Sequence, residues 1–164
     1  MTDHRRVPLR RNVIGVAIIV AALAVIGVTQ WWPHWSAYRN ANTPTHLAQR
    51  GESGSAGGQD WRVDSVRRLD TAGPGMEPLP AGTVGFVVTL ARTGPALRQG
   101  CAGVLTDGRR RWSTVPISVP SRADATTLCE APGLLELAFE VPAGATPTAV
   151  DIVGSDAILL RIIL

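Results

Sequence analysis

An all-β domain carried behind a single membrane-spanning helix is the fold class this sequence predicts, and three observations predict it. Val13 to Gln30 is an uncharged, largely aliphatic run preceded by arginines and followed by tryptophans. From Asp60 onward, apolar residues alternate with polar ones and turn residues break the pattern at short intervals, which is the mark of a sandwich or barrel. Both cysteines of the chain, Cys101 and Cys129, fall in that second part. The specific expectation is an immunoglobulin-like antiparallel sandwich of about seven strands, preceded by one N-terminal transmembrane helix and a flexible linker.

The N-terminal tail, residues 1–12, holds Arg5, Arg6, Arg10 and Arg11 against Asp3. It therefore accounts for the whole formal net charge of +3, and the rest of the chain is neutral. No global basic field is left on the domain, which argues against nucleic acid as a partner.

Residues 13–32 form the predicted transmembrane helix. Its eighteen uncharged residues, Val13 to Gln30, span roughly 27 Å at 1.5 Å per residue, close to a bilayer core of about 30 Å. Trp31, Trp32, Trp35 and Tyr38 supply an interfacial aromatic cluster. Arginines before the helix place the N-terminus in the cytoplasm and the C-terminal domain outside the cell membrane. A cleaved signal peptide shares the basic start and apolar core, but it needs small residues after that core. Here Trp31, Trp32, Pro33 and His34 follow, so an uncleaved single-pass anchor is favoured. Ala17, Ala21 and Ala24 share one helix face, where small residues permit close helix–helix approach; alanine is also simply common in such spans.

Residues 33–59 read as a juxtamembrane segment and flexible linker. Gly51 to Gly58 is rich in Gly and Ser and shows no apolar period, giving a tether with a mean reach of roughly 25 Å.

The predicted domain occupies residues 60–164. Strands are expected from Trp61 to about Leu69, from Thr83 to Arg92, from Leu134 to Val141, from Ala149 to Val153 and from Ala157 to Leu164. In the second, Val84, Phe86, Val88 and Leu90 point one way; in the third, Glu136 and Glu140 are expected on a solvated face. Asp107-Gly108 is a favoured pair for a two-residue type I′ hairpin. That hairpin would pair Thr106 with Arg109 and Gly103 with Trp112, laying the indole over the bare glycine and turning Arg109 and Arg111 outward. An even cysteine count outside the membrane favours a Cys101–Cys129 disulfide. In the chain-entropy picture a loop of this length is worth roughly 3–4 kcal/mol.

The order of a basic start, one span, a loose linker, Asp60-Trp61-Arg62-Val63, a Pro/Gly loop, a Val-rich strand, Cys101, Asp107-Gly108-Arg109, Trp112 and Cys129 resembles a known group. It is similar in outline to small membrane-anchored extracytoplasmic proteins of actinobacteria with an immunoglobulin-like, DUF4352-type domain. The resemblance implies that fold and address, and it brings no activity and no functional residues.

No His, Lys or Tyr follows His46, which removes the commonest general bases from the domain. The nearest nucleophile-elbow pattern, Gly51 to Ser55, lacks its last glycine. No enzymatic activity, cofactor or metal site is expected. A non-enzymatic binding or accessory module of the cell envelope is the preferred reading, with an envelope protein as partner. Its candidate surface is Arg98, Arg109 and Arg111, although charged residues there also serve to keep a sheet edge from aggregating. Two other readings stand beside it. One is an envelope lipid- or glycan-binding domain, which needs an apolar cleft between the sheets; the other is a structural subunit held through the Ala17, Ala21 and Ala24 face.

Overall fold

The computed structural model describes residues 9–70, 78–97, 100–115, 122–129, 131–155 and 157–164. The chain divides into two compact units, Met1–Arg39 and Asn40–Leu164.

The first unit is helical. α1 (Leu9–Ile26) passes through a π-helical turn, Gly27–Trp31, into α2 (Trp32–Asn42). Pro33 accounts for the π turn. It has no N–H to offer the carbonyl four residues back, at Thr29, and its ring crowds that carbonyl. The helix widens there and continues. The Thr29 hydroxyl donates to the Val25 carbonyl at 2.8 Å. From Val13 to Asn42 the helix is long and apolar enough to cross a membrane, and its apolar window buries nothing within the protein. It extends ten residues past the predicted end at Trp32 and carries the aromatic cluster with it; Trp35 and Tyr38 stack with ring centroids 5.9 Å apart.

The second unit is the predicted β-sandwich, built from two five-stranded sheets. Its strands are β1 (His46–Ala48), β2 (Gly54–Ala56), β3 (Gln59–Leu69), β4 (Thr83–Thr93), β5 (Ala102–Thr106), β6 (Arg111–Ser113), β7 (Ala125–Thr126), β8 (Gly133–Pro142), β9 (Ala149–Val153) and β10 (Ile158–Ile163). One sheet runs β1-β10-β9-β5-β6 and the other β2-β3-β4-β8-β7. The β1–β10 and β7–β8 pairs are parallel and the other pairs antiparallel. Alternation works as expected: Trp61, Val88, Leu90, Leu135, Phe139, Leu105, Ile152, Leu160 and Ile162 fill the space between the sheets. Fully burying a side chain of this size contributes about 1.5–3 kcal/mol.

The structure departs from the expected linker. Residues 46–48 and 54–56 are edge strands, one on each sheet, and the compact unit begins at Asn40, not Asp60. Gly57 and Gly58, at φ of 62° and 79°, form the two-residue turn between β2 and β3. Both central residues at positive φ is what a type I′ hairpin demands. The glycines that read as tether are turn residues. Strands of two or three residues carry no readable period, and β1, β2 and β7 raise the count among the described residues from about seven to ten.

The hairpin register differs too. Leu105 pairs with Trp112 and Thr106 with Arg111, leaving Asp107 to Arg110 as a four-residue loop. A two-residue turn would force Asp107 to positive φ, and no non-glycine residue among those described adopts it. The Asp107 carboxylate instead accepts the amides of Arg109 at 2.9 Å and Arg110 at 2.6 Å, closing a wider loop. A slip of two residues preserves the faces. Gly103 is still inward, but its partner is Leu137 of the other sheet, whose Cδ1 would lie 2.4 Å from any Cβ at that position.

Candidate functional site

The cysteines stand as expected. Cys101, just before β5, and Cys129, between β7 and β8, meet at disulfide distance with Cα atoms 5.5 Å apart. They tie the residue before β5, an interior strand of one sheet, to the loop that feeds β8 in the other.

The predicted arginine surface is only partly present. Arg98 lies outside the described residues. Arg109 is exposed at the hairpin loop. Arg111 faces outward but is engaged: it donates to the Ala41 carbonyl at 3.0 Å and lies 3.7 Å from the Asp151 carboxylate. Arg110, expected near a solvated tip, pairs with Asp107 at 2.8 Å and covers the Trp112 ring at 5.3 Å. Ala17, Ala21 and Ala24 are all exposed along α1.

Amide hydrogen bonds from Arg110 and Arg109, with help from the Arg110 guanidinium, hold the Asp107 carboxyl down at about 2. An unfolded carboxylate titrates near 3.9, so the folded value is depressed. The loop's contribution to stability is therefore fully present above about pH 4 and is lost as the pH falls toward 2. A carbon-13 titration of the Asp107 carboxyl is expected to show a midpoint close to 2; an unshifted midpoint would mean that the loop network does not form in solution.

Two charged residues missed in the sequence are structurally central. Asp151, on β9, is fully buried and accepts two hydrogen bonds from Arg161 on β10, at 2.6 and 2.8 Å. That carboxylate raises the Arg161 pKa. Arg92 occupies the next inward position after Val84, Phe86, Val88 and Leu90. It is 2% exposed and lies over the Trp61 ring at 5.4 Å. Burial lowers its pKa. Glu136, expected in solvent, is 3% exposed and sits 3.4 Å from Arg67. It is held against a cation of β3, two strands away across β4, and does not belong to an open carboxylate pair. Among the described residues no group of three or more His, Cys, Asp or Glu could hold a metal ion.

A ligand-sized cleft of about 500 Å³ lies between end loops of the two sheets. Pro95, Ala96, Leu97 and Cys101 line it from the β4–β5 connection, and Ala157 and Leu159 from β10 and the turn before it. Apolar side chains dominate, as in small-molecule sites generally. The buried Gln59 side chain braces the loop by donating to the Pro95 carbonyl at 2.5 Å. A smaller recess of about 280 Å³ adjoins the cleft, shares Leu159 and Gly57 with it, and adds Thr45, His46 and Ser55. Apolar loop residues, Pro95-Ala96-Leu97 immediately after Gly94, were the one sequence signal that could have located this site.

Fold and cleft together define a β-sandwich protein with an N-terminal helix long and apolar enough to cross a membrane. No protein-family model matches the sequence, and no curated protein matches it. Among solved structures the chain is similar to a secreted protein of Mycobacterium tuberculosis, at 11% identity and a TM-score of 0.47, covering 72% of this chain and 96% of that one. It is also similar to an uncharacterised β-sandwich protein of Clostridium difficile, at 10% identity and a TM-score of 0.40, covering 73% and 93%. Neither likeness bears on activity.

Proposed function

We propose that the protein is a non-enzymatic binding module of the cell envelope, held at the outer face of the membrane by its N-terminal helix, with the N-terminus in the cytoplasm. In this reading it is one of the actinobacterial, DUF4352-like anchored proteins that its sequence resembles. The arginines before the span, the Trp and Tyr residues after it and the paired cysteines all support that address.

The observation that carries the binding role is the apolar cleft between the end loops. Of the three readings open at the outset, the ligand-binding one called for an apolar cleft between the sheets; that space is filled by the core, and the cleft lies at the end loops instead. The protein-partner surface loses weight, because Arg111 is occupied by Ala41 and Asp151. A small apolar carbene precursor, trifluoromethyl-phenyl-diazirine, added to membranes holding the full chain, tests this. Adducts are expected on Pro95, Ala96, Leu97, Ala157 and Leu159 as well as on the span, and Ala157→Trp should remove the former only. Labelling confined to the span would refute the proposal.

A further inference from the structure

We infer that the Cys101–Cys129 bridge is an exchangeable disulfide through which the cleft captures thiol-bearing ligands. The ligand's thiolate attacks Cys101 and is held there as a mixed disulfide, while Cys129 leaves as a thiolate beside the buried Arg92 guanidinium. The inference deepens the proposed binding role by naming the ligand class, and it rests on that role.

Position is the first argument. Cys101 is one of the residues that line the cleft and is only partly buried. Cys129 belongs to the core, at 7% exposure. The two halves of the bridge are therefore unequal: a molecule seated in the cleft meets Cys101, and Cys129 stands behind it. Exchange proceeds by attack of a thiolate on one sulfur while the other sulfur leaves, so these surroundings select Cys101 for attack and Cys129 for departure.

Arg92 is the second. Its side chain is buried, and its Nε and Nη1 have no hydrogen-bond partner among the described residues. Its Nη2 donates to the Leu128 carbonyl at 3.4 Å, and Leu128 immediately precedes Cys129. Covalent geometry then keeps the Cys129 sulfur within about 9 Å of that nitrogen. Burial alone makes a cysteine a poor leaving group, because a desolvated thiolate is costly. A buried cation with spare N–H donors reverses that balance. At this range, with an effective dielectric constant of about 20, its attraction favours the thiolate by about tenfold. The Trp61 face attracts the same charge but supplies no anion, and the released sulfur does.

The step balances without any other reactant. One S–S bond breaks and one forms, the ligand's sulfur becomes bonded to Cys101, and the electron pair of the old bond leaves on Cys129. Return attack by Cys129 releases the ligand. The wall formed by Pro95, Ala96, Leu97, Ala157 and Leu159 selects thiols that carry an apolar substituent.

The test uses the full chain, oxidised in detergent, with thiophenol as the probe. Products are trapped with N-ethylmaleimide and read on tryptic peptides. Thiophenol is expected on Cys101 and maleimide on Cys129. Arg92→Met should slow adduct formation about threefold, which is the tenfold loss of thiolate stability scaled by a Brønsted coefficient of about 0.5. Arg92→Lys keeps the cation and should retain most of the rate. Ala157→Trp should lose most of the wild type's preference for thiophenol over mercaptoethanol. If Arg92→Met does not unfold cooperatively on heating, the lysine variant and the wild-type adduct pattern decide the matter. A bridge that stays closed, adducts on Cys129 or equally on both cysteines, or a rate indifferent to the charge at position 92 would overturn the inference. If the carbene precursor labels the cleft and thiophenol leaves the bridge closed, the binding role stands and the thiol capture falls. If the precursor does not label the cleft, both fall, whatever the bridge does.

Discussion

Replacing Trp61 with alanine is expected to destabilise the sandwich by about 3–5 kcal/mol, the range for emptying a large aromatic site in a core. Three losses coincide there. The ring is 1% exposed, so its whole surface is part of the core. Its indole N–H donates to the Ala56 carbonyl at 3.0 Å and thereby holds β2 to β3. It also carries the Arg92 guanidinium at 5.4 Å. Arg92 is itself buried, with its Nε and Nη1 unpartnered among the described residues and only Nη2 reaching the Leu128 carbonyl, at 3.4 Å. The ring is the main compensation for that charge, and a desolvated cation–π contact is worth about 2 kcal/mol. Trp61→Phe keeps an aromatic face and loses the N–H, so its cost should fall to about 1–3 kcal/mol. Urea unfolding of the two variants in detergent, followed by amide exchange in β2 and β3, checks the order. Equal losses would mean that the aromatic ring contributes nothing beyond the hydrogen bond to Ala56.

The second large effect is expected at Asp151. Changing it to alanine leaves Arg161 facing a fully buried position without its bidentate acceptor and removes the ion pair to Arg111. Breaking a buried pair from one side costs about 3–5 kcal/mol, because the remaining charge has nowhere to go. Arg161 keeps about a quarter of its side chain in solvent, at 24%, so the lower end, about 3 kcal/mol, is the expectation here. Replacing Asp151 and Arg161 together by leucine should recover most of that loss, to within about 1 kcal/mol of the wild type, since paired apolar residues need no ionic partner. A double-mutant cycle on the urea midpoints measures the coupling directly. Additive losses would show that the two side chains stabilise the sheet independently.

What could be read from the sequence, and what could not, follows from the length and solvation of each element. The long strands β3, β4 and β8 each bury a face over ten or eleven residues, so a period of two is visible and places them correctly. Edge strands β1 and β2 have three residues each. Their pairing depends on what lies beside them in the sheet, which no local pattern records, and their Gly-Gly turn has the composition of a linker. At the hairpin the turn type was misjudged, because the Asp107 carboxylate outcompetes the two-residue geometry that its Asp-Gly dipeptide favours. Charges were the other difficulty. Asp151 and Arg161 each stand alone in an apolar strand, and only the β9–β10 register, in which they are direct partners, explains both. Glu136 looked like a solvated residue by alternation, yet its outward face is covered and it sits against Arg67. The cleft depends on loops from both sheets, so it was beyond the reach of any local reading.

The apolar helix, by contrast, was plain, because an uninterrupted apolar run of this length needs no tertiary partner to be read. Its role as a permanent anchor is the claim on which the proposed envelope address rests. Protease added to spheroplasts expressing the chain with an epitope at each terminus tests it most directly. The account predicts that the C-terminal epitope is destroyed while the N-terminal one survives on a fragment that stays with the membrane. Survival of both epitopes, or recovery of the chain in the soluble cytosol with Cys101 and Cys129 as reactive thiols, would contradict it.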